Sequence, residues 1–235
     1  MNSLSKEEWT KEEIKLLQKY YPVLGIKVTK FLPNRTPESI DHKVRRLGIK
    51  YMPIGEGPVG YLDIESSGLQ GDFNFMISWC IKTADKDEIR CACITPEEIF
   101  NGNLDKRIVK ELIDTLYEYR RIYTYYGSIF DIPMCRTRAL YHKLNFIPYG
   151  LVEHKDVYYL ARRTLRIHSK RLESVCSLLG IKGKTHLQPR IWVMATSGNQ
   201  KALNYILEHN KKDVVILEKA YKKLQIYEGR TRRFI

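Results

Sequence analysis

Four carboxylates and one imidazole stand where they could do chemistry together. Asp63 and Glu65 lie two apart in Val59-Gly-Tyr-Leu-Asp-Ile-Glu65, an apolar run with strand character. Side chains alternate along a strand, so both carboxylates point to the same face. Two like charges on one face of a buried strand repel each other and resist desolvation, and a divalent cation is the usual compensator. Oxygen ligands of this kind suit Mg²⁺ or Mn²⁺. A lone Asp-x-Glu arises by chance in most chains of this size, so two further acids matter. Asp131 closes Tyr125-Tyr-Gly-Ser-Ile-Phe-Asp131, where a strand runs out into a loop that feeds a helix. Asp213 stands four residues after His209, which puts the two on one helix face. The apolar Val214-Val-Ile-Leu217 that follows is an odd neighbour for a solvating charge. Taken alone, Asp213 also reads as an ordinary helix-surface acid. Asp156 is a fifth acid, and the reading favoured for it is the N-cap of a following helix.

These groups need a sheet and at least two helices to bring them together. Val59–Glu65, Phe73–Thr83 and Glu88–Thr95 have the β-branched, aromatic and Cys content of strands. Lys106–Tyr119 carries Ile108, Leu112, Ile113 and Leu116 at helical spacing. Arg121–Tyr126 is a fourth strand, Ile132–Leu144 a helix, and Tyr149–Lys155 a fifth strand. From Asp156 onward the chain reads helical, ending in Asn199–Leu224. That order is the one of an RNase H-like α/β domain: a mixed five-stranded sheet with flanking helices, over residues 61–224.

Residues 1–52 read as a separate small all-α domain of three helices. Ser5 or Thr10 caps the first, whose apolar face is Leu16, Leu17 and Tyr20 before Pro22. A short second helix covers Ile26–Phe31. Thr36 caps the third, with Pro37 at its first position. In it Ile40, Val44 and Leu47 form the buried stripe, and Gly48 ends it. His42, Lys43, Arg45 and Arg46 make the outward side basic. An apolar back and a basic front are what helix-turn-helix modules insert into the major groove. Pro53-Ile-Gly-Glu-Gly-Pro-Val-Gly60 suits neither helix nor strand, so residues 53–60 read as a linker. Residues 225–235, with Arg230-Thr-Arg-Arg233, read as a basic tail, either a DNA-contacting arm or a solubilising end.

The 235 residues carry 40 Lys and Arg against 27 Asp and Glu, a net charge of +13 that attracts a polyanion, nucleic acid first among them. Hydrophobic residues at 43% can bury a core, which excludes a disordered chain. No apolar run is long enough to cross a membrane. The polar start Met1-Asn-Ser-Leu-Ser-Lys-Glu-Glu is no secretory signal. Five cysteines without a Cys-x-x-Cys pair (Cys80, Cys91, Cys93, Cys135, Cys176) argue against a disulfide framework or a zinc site. A reducing cytoplasm is the expected location. Cys91 and Cys93 read as small buried hydrophobes.

Two resemblances sharpen this. Trp9-Thr-Lys-Glu-Glu13, Phe31-Leu-Pro-Asn-Arg-Thr-Pro-Glu-Ser-Ile40 and Lys43-Val-Arg-Arg-Leu-Gly-Ile49 together resemble a Myb/SANT-like helix-turn-helix module, often attached to proteins of phages and mobile elements. That likeness implies DNA binding through the third helix, with Trp9 in the core. Asp63-Ile-Glu65, Gly127-Ser-Ile-Phe-Asp-Ile-Pro133 and His209-Asn-Lys-Lys-Asp-Val214 resemble, in order, the three motifs of the DEDD exonucleases within the RNase H-like proteins. The likeness implies two Mg²⁺ or Mn²⁺ ions held by Asp63, Glu65, Asp131 and Asp213, with His209 orienting or deprotonating the attacking water. Tyr126 stands where the second motif usually carries Asn, at the terminal nucleotide. With Tyr123 and Tyr125 it offers rings either for base stacking or for strand packing. The implied activity is a metal-dependent nuclease on DNA, 3′ to 5′. A nuclease with RNA as substrate and a non-enzymatic DNA-binding protein on the same scaffold are the alternatives.

Overall fold

The computed structural model describes residues 8–49, 51, 57–183 and 186–229. Ser5, Pro53–Glu56 and Arg230–Arg233 therefore lie outside the described residues.

In the N-terminal segment, α1 (Lys11–Leu24) starts at a capping box, the Thr10 hydroxyl accepting from the Glu13 N–H and the Glu13 carboxylate from the Thr10 N–H. The helix continues through Pro22 rather than ending before it. A proline so near the C-terminus removes one hydrogen bond from a helix already giving way to the 3-10 turn Gly25–Phe31. That turn occupies the place where sequence reading puts a second α-helix. The next helix, α2 (Pro37–Arg46), is capped by Thr36. Leu17, Val28, Leu32, Ile40 and Val44 make the core between them. Leu47 departs from the expected stripe: it falls just past the end of α2 and is exposed. Trp9 is half-buried under the Arg35 guanidinium, 4.6 Å from its ring, and Arg35 is itself paired with Glu13 at 2.8 Å.

The larger part holds one mixed sheet. Its strands are β1 (Val59–Ser66), β2 (Met76–Thr83), β3 (Ile89–Cys93), β4 (Arg121–Thr124) and β5 (Glu153–Asp156), in the order β3-β2-β1-β4-β5. β1 and β3 each pair antiparallel with β2, while β1, β4 and β5 run parallel. β1 begins two residues inside the expected linker. A Cβ on Gly60 would stand 2.8 Å from Ile81 and 2.9 Å from Ile122, so this glycine serves close packing and not looseness.

The helices are α3 (Pro96–Phe100), α4 (Lys106–Leu116), α5 (Asp131–Tyr141), α6 (Val157–Thr164), α7 (Leu172–Leu178), α8 (Pro189–Thr196) and α9 (Gln200–Leu224). One sheet face, with Leu62, Ile64, Trp79 and Ile81, packs on Ile108 and Leu112 of α4 and on Met134 of α5. The other, with Tyr61, Cys80 and Tyr123, packs on α6, α7 and the C-terminal half of α9 through Leu160, Val175, Val214 and Leu217. The period-two alternation of β1 thus sends Leu62 and Ile64 one way and Asp63 and Glu65 the other. Tyr123 belongs to this second core, its hydroxyl donating to that of Tyr221 at 2.6 Å, and is packing and not an open ring.

The N-terminal segment rests on α4. Tyr20 meets Tyr117 edge-to-face at 4.9 Å, and Lys19 pairs with Asp114. The chain after α9 is partly docked too. Gln225–Tyr227 form a 3-10 turn, and Glu228 accepts from Lys155 and from the Tyr221 hydroxyl, both at 2.5 Å. The first residues of the expected tail are therefore held by charge and not free. No described helix is long and apolar enough to cross a membrane.

Candidate active site

β1 delivers Asp63 and Glu65 half-buried, on the face toward α9. α9 is held across that face at two points. Asn210 donates to Ser78 Oγ at 3.2 Å, and Ser78 is the cross-strand neighbour of Glu65. Two turns later the buried Glu218 pairs with Lys82 at 2.6 Å and accepts the Asp85 N–H at 2.9 Å. These anchors set the register in which His209 and Asp213, one helical turn apart, face β1. His209 Nε2 lies 3.4 Å from Asp213 Oδ2 and 3.7 Å from Glu65 Oε1. Donor atoms of Glu65, His209 and Asp213 fall within 4.8 Å of one another, and among the described residues this is the one group so arranged. Asp213 is buried, which answers the ambiguity of its sequence context against a surface acid.

Asp131 arrives from the other side of β1. It opens α5, is buried, and accepts the backbone N–H of Ile64 at 3.1 Å. β4 pairs with β1 only as far as Tyr61–Tyr123, so beyond that point a side chain takes the place of a strand. Ile64 is the residue between Asp63 and Glu65, and the second motif is thereby tied to the first. Burial pushes the Asp131 carboxyl up to about 7; the Ile64 N–H opposes this, and the Asp156 carboxylate adds to it. A carboxylate held this far from its ordinary range is one that a nearby cation would stabilise. Asp63 and Asp131 stand outside the compact group of three, and His209, expected as a base alone, stands within it.

The five residues expected to act chemically therefore occupy one end of β1, brought by β1, α5 and α9. The five expected to touch nucleic acid divide between two places. His42, Lys43, Arg45 and Arg46 are on α2, with His42, Arg45 and Arg46 exposed. Arg45 is paired with Asp41 at 2.8 Å. His42, Lys43 and Arg46 border a cavity with Trp9, Thr36 and Ser39. Tyr126 is at the same end of the sheet as Asp131, 44% exposed, its ring edge-to-face with Tyr158 at 4.9 Å.

Sequence reading missed Asn210 and Glu218 as the anchors of α9. The signal for Glu218 was present, an acid among the apolar positions Val214, Leu217 and Tyr221, but its partner Lys82 is 136 residues away. The cap favoured for Asp156 is observed: its carboxylate accepts from Tyr158 N at 3.0 Å.

The sequence profile of the RNase H superfamily matches residues 60–225. A DNA polymerase of Methanocaldococcus jannaschii is 31% identical over 121 residues, covering 41% of this chain and 7% of the polymerase. Among solved structures, the family B DNA polymerase from the hyperthermophilic archaeon Pyrobaculum calidifontis superposes with a TM-score of 0.59 at 18% identity. That overlap covers 73% of this chain and 25% of the polymerase chain, a likeness of fold. The chain thus spans a small part of either relative's length. With a mixed sheet, acids on its central strand and a profile that covers most of its length, the chain belongs to the RNase H superfamily.

Proposed function

We propose that this protein is a metal-dependent nuclease of the DEDD type that removes nucleotides from DNA ends, 3′ to 5′. The observation that carries the reading is the convergence of Glu65, His209 and Asp213 within 4.8 Å, beside an Asp131 tied to the strand that bears Asp63. Hard oxygen donors with one imidazole fit Mg²⁺ or Mn²⁺. Asp63, Glu65, Asp131 and Asp213 would hold two such ions, and bound there the ions supply Lewis-acid stabilisation of the attacking and leaving oxygens. The chain's own residues do the rest. His209, steered by Asp213 and Glu65, takes the proton of the attacking water at Nε2. Tyr126 offers an exposed ring to the terminal base. Residues 1–52 act as a Myb/SANT-like helix-turn-helix that docks on duplex DNA through His42, Lys43, Arg45 and Arg46. The likeness to parts of two DNA polymerases favours DNA over RNA.

The test is a digest of single- and double-stranded DNA and RNA, labelled at one end or the other. Each is run with Mg²⁺, with Mn²⁺ and with EDTA. Single-nucleotide products released from 3′ ends of DNA, abolished by EDTA and by Asp63→Ala, are expected. Hydrolysis by Asp63→Ala at the wild-type rate removes the mechanism; preference for RNA removes the substrate.

A further inference from the structure

We propose that Asp156 is a positioning residue: its carboxylate folds the turn that delivers Asp131, and does so by holding Tyr126 in a left-handed backbone conformation. The proposal rests on the nuclease reading for what Asp131 does and on geometry for how it is held.

Asp156 ends β5 and stands beside Thr124, the last residue of β4, in parallel register. Immediately after Thr124 the chain must turn back toward β1, and it does so through Tyr126 at φ +67. A tyrosine in that region crowds its own Cβ against the following carbonyl, a conformation that glycine and asparagine adopt far more readily. The turn is tight as well, since a Cβ on Gly127 would come 2.3 Å from Thr124 Oγ1. A left-handed residue within a turn aims neighbouring N–H groups at one point, a concave site that binds anions. Here that anion is a side chain. Asp156 Oδ1 accepts the Tyr126 N–H at 2.8 Å and Oδ2 accepts the Ser128 N–H at 2.9 Å. Since Oδ1 also caps α6 through Tyr158 N at 3.0 Å, three backbone donors converge on one carboxylate.

From this point hydrogen bonds and the short stretches of backbone between them lead to Asp131 and to the strand that bears Asp63 and Glu65. The Tyr126 carbonyl accepts the Ile129 and Phe130 N–H groups, both at 3.1 Å, and the Gly127 carbonyl accepts that of Ile132 at 2.9 Å. Asp131 sits between Phe130 and Ile132 and takes the Ile64 N–H between Asp63 and Glu65. A simple helix cap needs only the Tyr158 contact; the two bonds to the turn are what a cap does not explain. Removing them leaves a tyrosine in a disfavoured conformation, two backbone donors of the turn without their anion, and Asp131 free to drift. Misplacement of a reacting group by about 1 Å can cost on the order of 10²-fold in rate.

Asp156→Asn and Asp156→Ala test this in the full chain. With Mg²⁺ and single-stranded DNA we expect kcat to fall about 10²-fold while KM changes less than about threefold. In EDTA, amide exchange at Tyr126 and Ser128 should quicken at least about tenfold while β1 and β2 keep their protection. Because asparagine tolerates the left-handed region, Tyr126→Asn in the Asp156→Asn background should recover at least about tenfold of the lost kcat. Unchanged exchange at Tyr126 and Ser128 overturns the proposal, as does a kcat loss that merely follows a loss of folded protein across the whole sheet. A wild type inert on every substrate sinks the nuclease reading instead, and the exchange rates in EDTA still decide whether Asp156 holds the turn.

Discussion

Asp131→Asn should make the metal-free protein more stable while removing its activity. The carboxyl is buried and held at about 7 instead of its ordinary 3.8. Keeping it charged above neutral pH therefore opposes folding by roughly 4 kcal/mol. A carboxamide of the same shape keeps an oxygen for the Ile64 N–H but still has to leave water, so about 1–3 kcal/mol of this should be regained. For a domain of this size that corresponds to a rise of about 3–10 °C in Tm in EDTA at pH 8. The pH dependence has a definite sign. A carboxyl whose folded pKa is raised stabilises the fold when protonated, so its contribution is lost as pH rises from about 4 through about 7. The difference in Tm between variant and wild type should accordingly be largest at pH 8 and close toward pH 4. Saturating Mg²⁺ should reverse the order, because a ligand at a hundred times its Kd adds about 2.7 kcal/mol to the protein that binds it. Differential scanning fluorimetry across pH, with EDTA and with Mg²⁺, measures all of this. A variant that melts below wild type in EDTA at pH 8 would refute the account of Asp131 as a desolvated carboxylate awaiting a cation.

Three other variants probe separate parts of the molecule. His209→Ala should slow single-turnover hydrolysis by about 10²–10⁴ with little change in DNA affinity, and a loss of only twofold would make His209 structural. Lys43→Ala combined with Arg46→Ala should lower duplex affinity and flatten the slope of log K against log salt by about 2, measured by fluorescence anisotropy. Arg45, already paired with Asp41, should add little to that change. Lys82→Met strands Glu218 in the core and should cost about 3 kcal/mol in urea unfolding, near the low end for a broken buried pair because Lys222 also reaches Glu218, at 3.0 Å.

What could be read in advance follows from the range over which each rule acts. Alternation in β1 sufficed to put Asp63 and Glu65 on one face, and a spacing of four sufficed to pair His209 with Asp213, because both rules concern neighbours in sequence. The succession of strands and helices along the chain and the cap of α2 at Thr36 were legible on the same grounds. Contacts between distant segments were not. Nothing local shows that Asp156 takes backbone donors from Tyr126 and Ser128, or that Asn210 reaches Ser78 across 132 residues. Gly60 was misjudged because a glycine gives one signal for two opposite needs, freedom in a linker and closeness in a core. Glu228 escaped notice because its partner Lys155 neutralises a residue that composition alone assigns to a basic tail.

The placement of His209 and Asp213 on α9 also fixes when the cluster can exist. Glu65 and Asp131 are synthesised well before α9, which follows the end of β1 by roughly 130 residues, or about six to twenty-six seconds of translation. Until α9 closes over β2 and finds Ser78 and Lys82, Glu65 lacks its two neighbours His209 and Asp213. Whatever reaction this cluster performs is therefore withheld from the nascent chain. A fragment that stops before α9 lacks His209 and Asp213, and the cluster is completed by the same helix that completes the core.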